Sequence, residues 1–240
     1  MSTLSDILRD LGSLLMPREC IVCRTPLVDG ERDLCTSCRY SIPLTGFAHE
    51  PDNPLFRSFW GIVPVERAAA LFFFTRGGAW QRAVHSFKYD GRWRSARILG
   101  RMLGEELDAG ELFASVDLII PVPLHTRRLL LRGYNQAEYI ARGVADVFGC
   151  EVDTGSLVRL RNNPSQTQLH TDQKRDNVRE LFAVRHPGRL AGRRILLVDD
   201  VITSGETMTA CVEALAAAVP DCRVSVAALA ASRARYGGAQ

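Results

Sequence analysis

Three stretches of this chain are apolar or nearly so: Leu118-Ile119-Ile120, Ile195-Leu196-Leu197-Val198 after Arg194, and Val224–Ala230, where only Ser225 intervenes. A strand with one wet face alternates apolar and polar residues, so runs like these belong to strands covered on both faces. A further short apolar run, Ala69–Phe74, ends at Thr75-Arg76-Gly77-Gly78 and predicts another strand and turn. Between the runs, apolar residues recur at helical spacing over 79–89, 95–107, Asn135–Phe148 (closed by Gly149) and Gly205–Val219, with Pro220 just beyond. Strand, loop and helix in repeated succession imply right-handed β-α-β units, hence an α/β fold whose parallel sheet carries helices on both faces. Ligands of such sheets lie beyond the carboxyl ends of the strands. Two segments deserve scrutiny there: the rigid Pro121-Val122-Pro123 stop and the residues after Val198.

The first forty-five residues read differently. Cys20, Cys23, Cys35 and Cys38 spell C-x2-C-x11-C-x2-C, and Thr25–Gly30 supplies turn residues between the pairs. Two close thiolate pairs can present four sulfurs tetrahedrally to one Zn²⁺, which predicts a small zinc-ribbon module with a closed, structural metal site. Residues 1–45 hold five arginines against six acidic groups, so a structural or protein-docking role fits better than gripping phosphates. We expect a boundary near 45, separating residues 1–45 from an α/β domain over 46–240. Upstream of the cysteines, Leu4, Ile7, Leu8, Leu11, Leu14 and Leu15 recur at helical spacing behind a Thr3/Asp6 capping box. Asp6, Arg9 and Asp10 interrupt any signal-peptide core, and no run of about 18 apolar residues exists to insert in a membrane. A cytoplasmic setting is therefore expected, where paired cysteines serve as metal ligands more often than as disulfides. Cys150, Cys211 and Cys222 sit in apolar surroundings and are expected to be buried and inert.

The most informative segment is Ile195-Leu-Leu-Val-Asp199-Asp200-Val-Ile-Thr203-Ser204-Gly205-Glu206-Thr207. A buried strand delivers two carboxylates, and a hydroxyl-rich turn then opens a helix. Backbone N–H groups, hydroxyls and a helix N-terminus together make an anion cradle. Carboxylates so near would repel that anion unless they contacted something else. A ribose 5′-phosphate resolves the conflict, its diol on Asp199 and Asp200 and its phosphate in the turn, with Mg²⁺ on sugar and pyrophosphate oxygens offsetting charge. Neither a Walker A loop nor a G-x-G-x-x-G fingerprint is present. An ordinary capped helix start is the other reading of the same residues.

This segment resembles the signature of type I phosphoribosyltransferases that binds phosphoribosyl pyrophosphate (PRPP): an apolar strand, two acids, then T-[ST]-G-x-T. The wider chain resembles the ComF family of competence proteins, including its ComFC and GntX types. The resemblance is carried by the four-cysteine module, Phe87-Lys88-Tyr89, Pro121-Val122-Pro123-Leu124 and Arg132-Gly133-Tyr134-Asn135-Gln136-Ala137. It continues through Gln166, Arg175-Asp176-Asn177-Val178 and Phe182 to Asp199–Thr207. It implies that Asp199 and Asp200 hold the ribose diol and that Thr203, Ser204, Gly205, Glu206 and Thr207 bind the 5′-phosphate. Pro123 to Arg128, including Arg127, would form a pyrophosphate loop, and residues 160–180 a flexible loop over the reacting centre. Ser204 stands where Thr is more frequent, and Glu206 places an acid in the helix's first turn.

Charge distribution agrees with a polyanionic ligand at that face. The chain carries only +3 overall, yet residues 157–194 hold nine Lys or Arg against Asp172, Asp176 and Glu180. Release of pyrophosphate through an oxocarbenium-like state needs positioned cations, for which Lys174 and Arg175 are the candidates; a merely solvated basic loop is the alternative. His125 could orient phosphate, and His170 lies in the same expected loop. Three functions share this site: a Mg²⁺-dependent phosphoribosyltransferase acting on an amine or nucleobase, a single-stranded-DNA-binding protein working with competence-machinery partners, and a PRPP-sensing regulator. They would differ in the acceptor pocket, expected in a hood within 47–110, where no base-reading constellation is evident.

Overall fold

The computed structural model describes residues 18–75, 77–89, 91–160 and 181–237. The expected N-terminal helix lies outside the described residues, as do Lys174, Arg175, His170 and all of the expected flexible loop except Leu160.

Five parallel strands form the sheet in the order β1-β7-β6-β2-β3: β1 is Val65–Phe74, β2 Leu118–Pro121, β3 Glu151–Val152, β6 Arg194–Ile202 and β7 Arg223–Ser232. The apolar runs occupy its centre; Ile119, Leu196, Leu197, Val198 and Leu229 are fully buried. The principal helices, numbered after the short α1 (Thr36–Tyr40) and α2 (Pro54–Arg57), are α3 (Ala79–Tyr89), α4 (Trp93–Ala109), α5 (Thr126–Arg132), α6 (Gln136–Phe148) and α7 (Glu206–Ala218), with a last turn α8 (Arg233–Tyr236). Between β3 and β6 a two-stranded antiparallel hairpin, β4 (Leu157–Arg159) and β5 (Phe182–Val184), packs against α7.

Connections from β1 to β2 and from β2 to β3 move one way across the sheet, whereas the connection from β6 to β7 moves the other way. With right-handed crossovers this sets α4 and α6 on one face and α7 on the opposite one. On the first face the two helix backbones nearly touch. A Cβ at Gly100 would stand 2.3 Å from the Ile140 carbonyl oxygen, and one at Gly143 2.2 Å from that of Arg97. Leu99, Leu103, Ile140 and Val144 of these two helices are fully buried, each such side chain contributing about 1.5–3 kcal/mol on burial. Arg97 closes the outer rim on Asp146 through two bonds of 2.8 and 2.9 Å.

The cysteine module joins the same core: Cys20, Val22, Leu34 and Cys38 belong to one buried cluster with the sheet residues. The chain leaving it runs along the outer edge of β1, where the Phe73 amide donates to the Pro43 carbonyl (2.8 Å) and the Thr45 amide to that of Leu71 (3.1 Å). The open edge is thereby covered, which removes a template for unwanted strand pairing. Of the stretch expected to hold a hood, β1 and α4 belong to the sheet and its helical layer. Among the described residues no helix is long and apolar enough to cross a membrane.

Candidate active site

β6 and β2 are neighbours whose outgoing connections leave in opposite directions, so the crevice beyond their carboxyl ends is the sheet's topological switch point. Both segments singled out in the sequence meet there. The ladder between them ends at Pro121↔Val198, with a last bond from the Val122 amide to the Val198 carbonyl at 2.8 Å. Pro121 and Pro123 have no N–H, but by strand alternation they face β3 with Ile119, whose carbonyl accepts the Asp153 amide at 2.9 Å. On the other side β6 stays paired with β7 through Ile202↔Ala231. The strand therefore runs four residues past the Val198 expected from its apolar run, and Asp199 and Asp200 lie within it. Among the described residues its pairing with β2 does not continue past Val198.

Successive strand residues alternate faces, so the two half-buried carboxylates bracket the strand and can meet two different groups of one ligand. The Asp200 amide donates to Asp199 Oδ1 at 2.8 Å, fixing one oxygen of that carboxylate. Asp199 shares its side with the fully buried Cys211 of α7, whose thiol is pushed well up by burial and then by the Asp199 charge.

After Ile202 the chain turns through Thr203 and Ser204, both exposed, into Gly205. Gly205 caps α7 at φ +84°, a left-handed conformation, and Ser204 Oγ accepts the Glu206 amide of the first turn at 3.5 Å. A Cβ there would also stand 3.5 Å from the Tyr236 hydroxyl and 3.8 Å from the Phe59 ring. Glu206 and Thr207 are exposed in the first turn. A helix start with two hydroxyls before it and one in its first turn is suited to an anion.

The loop after β2 is shorter than the sequence suggested. Pro123 lies in it, but Arg127 and Arg128 stand exposed in the first turn of α5 instead of in a loop reaching residue 128. The cause is His125, whose Nδ1 accepts the Arg127 amide at 3.2 Å and starts the helix early; that nitrogen is thus a cap. Gly133 ends α5 at φ +78°, and the next residues tie the loop down. Tyr134 donates its hydroxyl to the Phe87 carbonyl, and Asn135 Nδ2 donates to the Val122 carbonyl at 3.0 Å. Gln136 is buried and bonded to Arg132 at 3.0 Å.

One half-buried cation of the hairpin lies toward the acidic pair without any signal in the sequence. Arg159, at the end of β4, is half-buried, with its guanidinium carbon 5.3 Å from the Phe182 ring centre. In sequence it was one of nine scattered cations, and only the hairpin's packing on α7 brings it toward Asp199.

The four cysteines converge as the spacing predicts. Their sulfurs all lie within 4.8 Å of one another, and Cys23 and Cys35 are 3.6 Å apart. Tetrahedral Zn–S bonds of about 2.3 Å demand sulfurs about 3.8 Å apart, so the cluster is compatible with a structural zinc. Hydrogen bonds with Thr25 hold the Cys23 thiol down to about 6, while burial and the neighbouring sulfurs push Cys38 up. Of the other cysteines, Cys211 is buried as expected. Cys150 and Cys222 are only half-buried, though burial still raises both thiols.

Comparison with known proteins bears on this geometry. The family model for the phosphoribosyl transferase domain matches residues 135–238. The chain is 28% identical over 206 residues to the DNA utilization protein YhgH of Salmonella typhi, covering 81% of this chain and 89% of that one. It is 29% identical over 129 residues to Competence protein F of Haemophilus influenzae, covering 52% of this chain and 56% of the relative. Among solved structures it is similar to the allosteric regulatory enzyme of purine biosynthesis (TM-score 0.41, 21% identity), covering 60% of this chain and 30% of that one. It is also similar to adenine phosphoribosyltransferase (TM-score 0.36, 16% identity), covering 62% of this chain and 75% of that one. The domain match takes in the acidic strand, its turn and α7, and the likeness to the DNA utilization protein runs through most of the chain, which together support a ComF-like phosphoribosyl transferase-domain family.

Proposed function

We propose that the crevice between β6 and β2 binds PRPP with Mg²⁺ and that the protein transfers its ribose 5-phosphate to an amine or nucleobase acceptor, in the service of DNA uptake or use. The observation that carries this reading is the meeting, at one switch point, of a bracketing carboxylate pair and a hydroxyl-lined helix start. Asp199 and Asp200 would accept the ribose hydroxyls, and the amides and hydroxyls of Thr203 to Thr207 would take the 5′-phosphate. Pro123, Arg127 and Arg128 would face the pyrophosphate. Mg²⁺, when bound, neutralises pyrophosphate and so eases its departure; the half-buried carboxylates suit an ion shared with the sugar oxygens. Lys174 and Arg175 are proposed to stabilise the leaving group. The organisation proposed is a zinc-holding module over 1–45 ahead of the transferase domain over 46–240, in the cytoplasm.

The link to DNA rests on the names of the relatives, a DNA utilization protein and a competence protein. A second reading is favoured by α5, where exposed Arg127 and Arg128 precede exposed Leu129, Leu130 and Leu131 at the mouth of the site. On that reading the protein holds single-stranded DNA or a competence partner there, with PRPP as a ligand or signal.

Calorimetric titration of PRPP with Mg²⁺ tests the shared site. Saturable binding lost in Asp199→Asn/Asp200→Asn is expected; undetectable binding at millimolar PRPP, unchanged by the substitutions, overturns the reading. Pyrophosphate release screened with bases and amines then separates enzyme from binder, and a salt-independent affinity for single strands would sink the DNA reading.

A further inference from the structure

At the other end of the sheet, where the strands begin, lies a cavity of about 350 Å³. It is formed by the starts of β1, β6 and β7 and by the loop that leads from α4 into β2. Small-ligand sites occupy about 300–1,000 Å³, so the space is large enough for a small molecule. The loop contributes apolar surface from Leu112, Phe113 and Val116. The strand starts contribute three guanidinium groups, those of Arg67, Arg194 and Arg223, and one carboxylate, Glu66.

The backbone itself gathers these cations. Arg194 and Arg223 are the first residues of β6 and β7 and are register partners, so both side chains leave adjacent strands on one face. Neighbouring strands stand about 4.8 Å apart, and like charges placed side by side across them destabilise a sheet. Between Val65 and Ala68 the register of β1 slips, setting Glu66 and Arg67 together against the single Ser225 of β7. A bulge of this kind re-aims the side chains it carries, and here it brings a third cation to the pair. Compensation is partial. Glu66 lies 3.5 Å from Arg223 in an exposed pair, a kind that contributes little. Arg67 donates to the Glu66 carbonyl at 2.7 Å. Asp117, at the end of the loop, has one oxygen engaged by the Arg194 amide at 3.0 Å.

Three guanidinium groups against one carboxylate give the cavity a formal charge of +2. A phosphate monoester carries about −1.5 to −2 at neutral pH, and its oxygens match the guanidinium fork. Phe113 is buried and Leu112 and Val116 are half-buried, which suits an apolar body on the ester. We propose that this cavity binds a small organic phosphate, its phosphate held by Arg67, Arg194 and Arg223 and its apolar body by the loop. Arg194 stands five residues before Asp199 on β6, roughly 16 Å at 3.3 Å per residue, so the site is separate from the crevice and independent of the PRPP reading.

Phenyl phosphate is the probe, because it joins a phosphate to an apolar ring and has no ribose. Calorimetric titration of the full chain at low ionic strength compares it with benzoate and inorganic phosphate. Phenyl phosphate is expected to bind saturably, at least tenfold tighter than benzoate and at least threefold tighter than inorganic phosphate. Arg194→Gln and Arg223→Gln should each weaken it at least fivefold. Ser115 is exposed and lines the cavity, so Ser115→Glu adds a negative charge there with the packing intact and should abolish binding. Without ligand, Arg194→Gln should melt no lower than wild type, since it relieves the like-charge pair. Undetectable binding at millimolar phenyl phosphate, or binding that all three substitutions leave unchanged, overturns the proposal. So does a loss in Thr203→Val/Thr207→Val that Arg194→Gln does not share, which would put the probe in the turn after β6. Equal affinity for phenyl phosphate and inorganic phosphate would overturn the organic ester as the ligand.

Discussion

Asn135 joins two elements through one side chain: its Nδ2 donates to the Val122 carbonyl at 3.0 Å while its Oδ1 accepts the Ala137 amide at 3.2 Å. The first bond anchors the loop after β2, and the second caps α6. Asn135→Ala removes both and is expected to cost about 1–2 kcal/mol of stability, read from urea denaturation. Asn135→Ser restores a cap acceptor without the reach to Val122. It should recover much of the stability and still bind PRPP more weakly than wild type, because the pyrophosphate-side loop stays loose. Equal PRPP affinity in Asn135→Ser and wild type would show that the anchor does not serve the site.

Helix α4 meets α6 so closely that only glycine fits at two points. Gly100→Ala or Gly143→Ala sets a methyl against backbone, where no rotamer change relieves the clash, so the helices must part. A loss of about 1–3 kcal/mol or more is expected for each, seen as a lower melting temperature. Gly188→Ala is the control: nothing lies within 4 Å of its Cβ position. That variant should be neutral or slightly stabilising.

Much of this architecture was legible in the chain, for reasons that also mark what was not. Ile119 and Leu196 to Val198 announce buried strands because a parallel sheet demands apolarity on both faces. Gly149 and Gly205 announce helix ends because their left-handed backbones exclude most other residues. The extension of β6 through the acidic pair was hidden, since polar residues in a strand are stabilised by pairing with β7, which no local pattern encodes. α5 was hidden because its apolar residues, Leu129 to Leu131, face solvent and give no periodic signal. Arg159 was hidden for a third reason, its position being set by a hairpin partner 23 positions away, Phe182.

The cysteine cluster shares its core with the sheet, so metal should matter beyond the module. About one equivalent of zinc is expected in protein purified without chelators, and less than half an equivalent would contradict the four-thiolate assignment. A strong chelator should lower the melting temperature of the whole chain in a single transition, because Cys20, Val22, Leu34 and Cys38 are continuous with the main core. Cys38→Ser should mimic the chelator and be insensitive to it. A chelator-induced transition confined to a minor part of the far-ultraviolet signal would instead show that the module unfolds alone.

Asp153 provides the acid-sensitive element on the turn between β3 and β4. It is 4% exposed and accepts three hydrogen bonds, from the Gly155 and Ser156 amides at 2.8 Å each and the Ser156 hydroxyl at 2.6 Å. Burial pushes its carboxyl up, but those donors and the Arg189 charge outweigh it and hold the group below its ordinary range. A carboxyl depressed in the folded state contributes stability that is present above the unfolded value of about 3.9 and is lost as pH falls through the folded one. Asp153→Ala leaves buried donors unmatched and should cost about 1–3 kcal/mol at pH 7. The difference from wild type, measured by urea denaturation, should shrink as pH is lowered from 5 toward 2. A gap that stays constant over that interval would mean that Asp153 acts through packing alone.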